Sequence, residues 1–264
     1  MTESPAAPVP PDAPPRTPPV ARPATPEDIR AALAAGWRDF RAAPAFGLFF
    51  AGVYVLGGLF LVWVLAGSGR VWMTIPISLG FPLLGPFVAA GLYEVSRRLE
   101  AGEPVAWGGG LGVILRQKDR QIPTVAAIIV VFFLFWNFLG HMIFALFLGL
   151  TAMTNISTSF EVYLTPHGLA MLAVGAAVGA GFATLLFATQ VISLPLLLDR
   201  EVDFVTAMIV SVQAVLASPA VMLGWAALIA ATLFLAMLPA FLGLFLALPV
   251  LGHASWHLYR RLLP

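Results

Sequence analysis

Residues 219–261 read PAVMLGWAALIAATLFLAMLPAFLGLFLALPVLGHASWHLYRR, and the fold turns on how this stretch is divided. As far as Gly252 it carries no charged side chain. Two apolar runs, 219–237 and 239–258, meet at the corner Met237-Leu238-Pro239. At 1.5 Å per helical residue, each is long enough to cross a hydrocarbon layer of about 30 Å. Read as two spans, the stretch returns Arg260 and Arg261 to the side from which it set out. Read as one, it carries both guanidiniums across.

Composition supports the membrane reading. Of 264 residues, 60% are hydrophobic and 10% charged, whereas soluble domains run at about 45–50% and about 25%. The net charge of +1 and the lack of a basic patch with interleaved aromatics argue against a nucleic-acid partner. With no cysteine, disulfides, iron–sulfur ligation, thiolate zinc sites and a Cys nucleophile are excluded.

Upstream, residues 1–24 are proline-rich with few large apolar side chains, so a disordered, locally extended tail is expected. Thr25-Pro26-Glu27-Asp28 then reads as a helix start: hydroxyl cap, proline at the first position, carboxylates in the first turn. Over 26–43, Ile29, Leu33, Trp37 and Phe40 form a stripe, with Arg30, Arg38, Asp39 and Arg41 on other faces. Such a helix lies in the bilayer interface, or caps the bundle from below.

An all-α, six-span transmembrane bundle follows, with spans at about 44–66, 71–93, 122–150, 168–194, 219–237 and 239–258. With the N-terminus inside, every Lys and Arg except Arg70 falls on the cytoplasmic side, and the outer loop 151–167 holds neither. A five-span reading would export Arg260 and Arg261, against the positive-inside rule. The expected protein is therefore multi-pass, with both termini cytoplasmic. In span four, Gly175 and Gly179 stand in a small-xxx-small relation that predicts burial against a neighbouring helix, and Pro195 is expected to end that span. Gly108-Gly109-Gly110, with no preceding strand and no following Gly-Lys-Ser/Thr, is no phosphate loop.

A second helix-period segment, 203–217, aligns with the first interfacial helix under a shift of 175 residues. Asp28 meets Asp203, Leu33/Trp37/Phe40 meet Met208/Val212/Val215, and Pro44 meets Pro219. The following hairpins end alike: Pro82–Pro86 with Tyr93 and Arg97-Arg98, beside Pro249–His253 with Tyr259 and Arg260-Arg261. The pattern predicts a parallel internal repeat about an axis along the membrane normal, the middle spans forming a third, degenerate unit.

The residues able to bind something gather at the cytoplasmic ends: Tyr93, Glu94, Arg97, Asp199, Arg200, His253, His257, Tyr259 and Arg260. His253 and His257 share a helix face as an i,i+4 pair, a weak metal candidate, and no carboxylate between them makes the metalloprotease pattern. His141 lies roughly 25 Å from the cytoplasmic edge and His253 about 8 Å, so the two cannot grip one haem. No cofactor is expected. Asn137 and His141, also i,i+4 but deeper, predict an interhelical hydrogen bond.

Three blocks, Gly91–Gly102, Pro195–Arg200 and Gly252–Arg260, resemble a family of bacterial integral membrane proteins known only as a domain of unknown function, whose members are sometimes labelled cytochrome c oxidase subunits. The resemblance covers roughly 37–261. It implies a multi-span protein of the bacterial inner (plasma) membrane and carries over no catalytic residue. Three functions stay open. One is a non-enzymatic binding or assembly module with a cytoplasmic polar belt, its partners the lipid bilayer, anionic lipids, another membrane protein or a second copy. Another is a small-molecule transporter with its site at helix breaks in Pro82–Pro86 and Pro249–His253. The last is a haem- or metal-binding respiratory subunit.

Overall fold

The computed structural model describes residues 19–68, 74–108, 112, 121–149 and 161–264; within helices, the side chains of 61, 64–68, 74–84, 161 and 162 fall outside the description. The sequence readings at residues 1–18, Arg70, Gly109, Gly110, Arg116, Lys118, Arg120 and most of the outer loop therefore lie outside the described residues.

Among the described residues the architecture is all-helical. The helices are α1 (Pro26–Ala42), α2 (Pro44–Ser68), α3 (Thr74–Glu100), α4 (Ile122–Leu148), α5 (Pro166–Gln190), α6 (Ser193–Asp199), α7 (Phe204–Ala217), α8 (Pro219–Met237) and α9 (Leu244–Leu262), with one further turn at Glu161–Leu164. Three units are long and apolar enough to cross a membrane: α4, α5 continued by α6, and α8. The bent pair of α1 with the first part of α2 makes a fourth if it is one span. α9 falls outside that group, because its C-terminal half carries His253, His257, Arg260 and Arg261.

Local chemistry sets the joints. Thr25 and Asp28 form a reciprocal capping box with Pro26 at the first turn of α1. α1 stops at Ala43 (φ −136°, ψ 56°), because Pro44 lacks the N–H that would continue the helix; the chain turns by 100° into α2. α7 repeats the device: Asp203 caps it, Ser218 (φ −150°, ψ 63°) ends it, and Pro219 opens α8.

Pro195 does not end span four. The helix breaks earlier, at Val191-Ile192, and resumes as α6 with Pro195 in its first turn, where a missing N–H is tolerated. Ser211 of α7 bridges the break, donating to the Ala188 carbonyl at 2.7 Å and accepting the Ile192 N–H at 3.1 Å. The α8–α9 corner is wider than Met237-Leu238-Pro239. It runs to Gly243, with Ala240 and Phe241 in the left-handed region (φ 50° and 65°).

Packing is concentrated at one end of the bundle. The buried hydrophobic side chains described in α2 are Phe46, Phe50, Ala51 and Val55, in its first half; those of α8 are Met222 and Trp225, near its start. The described part of α3 buries its C-terminal half, and α9 is buried at intervals from Leu244 to Leu262. The ends of α3, α6 and α9 meet one another there, while α1 lies across α9 and α7 lies against α5 and α6. Gly179 faces the Trp136 ring of α4 as the small-residue pattern predicts, whereas Gly175 has nothing within reach of a Cβ.

The expected stripe on α1 is only part of its packing face: Ile29 and Leu33 pack against the core and Phe40 lies over Gly47. Ala32, Ala35 and Gly36 are buried, with Asp28 on the same side, while Trp37 is 43% exposed and Ile29, Leu33 and Phe40 are half-buried. The last residues of the proline-rich stretch, 21–24, are docked: Ala21 and Ala24 are buried, and the Arg22 N–H bonds the Leu262 carbonyl at 3.0 Å.

Candidate functional site

The packed end is organised by α9. A Cβ at Gly36 would sit 2.6 Å from both the Val250 carbonyl oxygen and the Ala254 nitrogen, so only glycine lets the two backbones cross this closely. On another face of α9, Gly252 lies under Leu92, where a Cβ would come within 2.5 Å of that side chain. These approaches draw α1 and α3 against α9 and bring their polar side chains within hydrogen-bonding range.

Four residues from three helices form the first cluster. His257 Nε2 lies 2.7 Å from Asp39 Oδ2, both largely buried. Ser96 Oγ lies 2.8 Å from His253 Nδ1, both fully buried. His253 Nε2 is buried with no hydrogen-bond partner among the described residues. Burial alone would raise the Asp39 carboxyl, but the hydrogen bonds from His257 and Ser96 and the nearby histidine charge outweigh it and hold the group below its usual value.

A second cluster closes the α3–α6–α9 junction. The Tyr259 hydroxyl donates to Asp199 Oδ2 at 2.6 Å, and Arg260 reaches Asp199 at 3.4 Å and Glu100 at 3.3 Å. Trp256 Nε1 donates to the same Glu100 at 3.2 Å, and Arg200 donates to the Leu263 and Pro264 carbonyls at 3.0 Å. Burial and the bonded Asp199 carboxylate push the Tyr259 phenol above its ordinary value.

The third cluster clasps the tail. Arg22 grips buried Asp28 with both terminal nitrogens, at 2.9 and 2.6 Å, Arg261 approaches the same carboxylate at 3.4 Å, and Arg22 Nε donates to the Arg261 carbonyl at 2.9 Å. The Arg22 hydrogen bonds hold the Asp28 carboxyl well below the usual carboxylate range.

Of the nine residues expected in the belt, Asp199, Arg200, Tyr259 and Arg260 share one cluster, and Tyr93 adjoins it through its ring, 6.3 Å from that of Trp256. His253 and His257 share a face, but each ring has its own partner. Glu94 and Arg97 stand apart. Glu94 is buried between Arg97 at 2.8 Å and Arg98 at 2.7 Å and has no bond to either histidine. Burial disfavours its charge, yet the two arginines keep its carboxyl below the usual value.

The expected helix breaks are not breaks. α9 continues through Pro249 and α3 through Pro82–Pro86. Pro249 is buried against Gly47 and Gly252 against Leu92, which makes the Pro249–His253 segment a dry helix contact. Cavities lined by described residues lie elsewhere. One of about 320 Å³ sits between α4 and α5, lined by Phe132, Phe133, Trp136 and Phe182; one of about 390 Å³ lies under α7, lined by Met208, Ile209 and Thr189. Both are apolar. Among the described residues no three His, Asp or Glu side chains gather as metal ligands.

Asp39, Ser96, Glu100, Trp256 and Asp28 complete these clusters and were not in the expected set. Asp39 had a signal: it falls on the small face of α1, in register with Ala32, Ala35 and Gly36. Ser96, Glu100 and Trp256 had none beyond their place at helix ends.

Residues 74–199 match the model of a family described as "Predicted integral membrane protein (DUF2189)". The match is narrower than the 37–261 resemblance. It runs from the start of α3 to the end of α6, so it includes Ser96, Glu100 and Asp199 but neither Asp39 nor His253 and His257. No curated protein and no solved structure matches the chain. The apolar helices and this match identify an integral membrane protein.

Proposed function

We propose that the chain is a six-span protein of the bacterial inner membrane with both termini cytoplasmic. It works as a non-enzymatic binding or assembly module whose helix α1 reads anionic lipid. Helices occupy all six expected positions. α2 has 25 residues and α3 has 27, lengths of about 37 and 40 Å. α9 is preceded by the apolar corner 238–243, which extends its membrane-facing half, while its arginines lie at the opposite end. The parallel repeat draws support from the two helix–proline joints. Ala43 and Ser218, 175 residues apart, adopt nearly the same backbone angles.

The observation that carries the reading is that the belt is closed on itself. Asp28, Asp39, Glu94, Glu100 and Asp199 are each tied to partners within the chain. Their chemistry is spent on holding helix ends together rather than on a ligand. On the outer face of α1, by contrast, Arg38 and Arg41 are exposed and have no ion pair among the described residues, beside the half-exposed Trp37 ring. A helix bent 100° from a span lies along the interface, where guanidinium groups meet lipid phosphates and an indole sits among headgroups.

Native mass spectrometry of the detergent-solubilised protein tests this. The wild type should retain anionic phospholipid that the Arg38→Gln/Arg41→Gln variant loses, and equal retention would refute the lipid role. A C-terminal reporter active only in the periplasm would overturn the topology.

A further inference from the structure

Asn137 and His141 of α4 make no side-chain hydrogen bond to another described helix. Asn137, Gly140 and His141 share one face of this helix, which passes as a membrane span. His141 is exposed, and a Cβ at Gly140 would meet nothing within 4 Å. Among the described residues, the interhelical hydrogen bond expected from Asn137 and His141 is not made. His141 Nδ1 lies 2.7 Å from the backbone carbonyl of Asn137, one turn back on its own helix. The Asn137 carboxamide has no hydrogen-bond partner among the described residues.

A carbonyl oxygen can only accept, so Nδ1 carries the proton, and Nε2 of the neutral ring is left as a bare acceptor. The carboxamide one turn below offers two N–H donors. His141 is followed by the apolar run Met142–Leu148, about 10 Å of further helix, so the ring sits within the apolar part of α4 rather than at its end. Unpaired donors and acceptors in hydrocarbon are expensive.

We infer that this face of α4 docks against the same face of a second copy of the chain, about a twofold axis along the membrane normal. The inference rests on α4 crossing the bilayer as proposed above. The patch is self-complementary. Each copy presents a donor group, the Asn137 amide nitrogen, and acceptors at His141 Nε2 and Asn137 Oδ1, so a twofold pair makes two reciprocal Asn137–His141 bonds from a single contact, as an isologous interface requires. The depths agree: the ring already leans toward the N-terminus, to the level of Asn137. Gly140, with no side chain between the two polar residues, lets the backbones approach as small residues do in membrane helix pairs.

The chain contains no cysteine, so one substitution places one thiol. Gly140→Cys in the full-length protein, oxidised in native membranes, should yield a species of twice the 28.1 kDa chain mass. Leu146→Cys should stay monomeric, since Leu146 is 75% exposed and about 120° around the same helix. Adding Asn137→Leu and His141→Leu to Gly140→Cys should lower the cross-linked fraction roughly tenfold at equal expression. The dimer is refuted if Gly140→Cys cross-links no better than Leu146→Cys, if the adduct has another mass, or if the double leucine variant cross-links unchanged. Alkaline carbonate extraction separates the two levels. Release of the protein would sink the membrane reading itself, whereas retention without cross-linking would sink the dimer alone.

Discussion

Gly36→Ala probes the contact on which the polar belt depends. The new Cβ would stand 2.6 Å from the Val250 oxygen and the Ala254 nitrogen and 3.0 Å from the Ala254 Cα, all backbone atoms that cannot rotate away. Restoring an ordinary 3.4 Å contact requires α1 to lift from α9 by 3.4 − 2.6 = 0.8 Å. Asp39, one turn further along α1, moves with it and loosens its 2.7 Å contact with His257. Overpacking of this kind costs about 2 kcal/mol, while alanine in a helix returns up to about 1 kcal/mol. Gly175→Ala isolates the second term, because a Cβ there meets nothing. Thermal unfolding of both variants in one detergent should therefore place Gly36→Ala roughly 4–8 °C below Gly175→Ala. Equal melting temperatures would refute the close crossing of α1 on α9 and, with it, the geometry of the Asp39 cluster.

Asp28→Ala removes a capping box and both arginine contacts at once, which should cost about 2 kcal/mol, read as a lower melting temperature than the wild type. The Asp28 carboxyl is held below its ordinary value of 3.8. Its contribution is therefore complete above that value and lost as pH falls through the lower, folded-state value. The wild-type advantage over Asp28→Ala should be constant from pH 5 to 7 and begin to shrink below about pH 4; a constant gap down to pH 2 would contradict the pairing. Ser211→Ala leaves the Ile192 N–H and an Ala188 carbonyl bond unserved at the α5–α6 break. It should lower stability by about 1–3 kcal/mol, read as a reduced melting temperature with insertion unchanged.

Much of the architecture was legible in the residues because lipid permits few alternatives. Long apolar runs must satisfy their backbone groups internally and so must be helices, and the ends of those runs are where charge can remain solvated. Thr25-Pro26 and Asp203 with Ser218-Pro219 marked their joints through the chemistry of caps and proline. The site was half legible. Asp199, Tyr259 and Arg260 were recognisable as polar groups at equivalent helix ends, but the partners that close them, Glu100 and Trp256, depend on how α3 and α9 cross.

The sequence by itself determined where helices run, where their joints fall, and that polar side chains collect at one end, because each of these follows from local hydropathy and backbone chemistry. Only the tertiary structure decided which face of each helix is turned inward. On α1 the bulky stripe would be the natural choice in water, where apolar area drives packing. In the structure Trp37 is left exposed, and the close approach allowed by Ala32, Ala35 and Gly36 sets the crossing instead. That choice carries Asp39 to His257 and makes α1 the clasp of the belt.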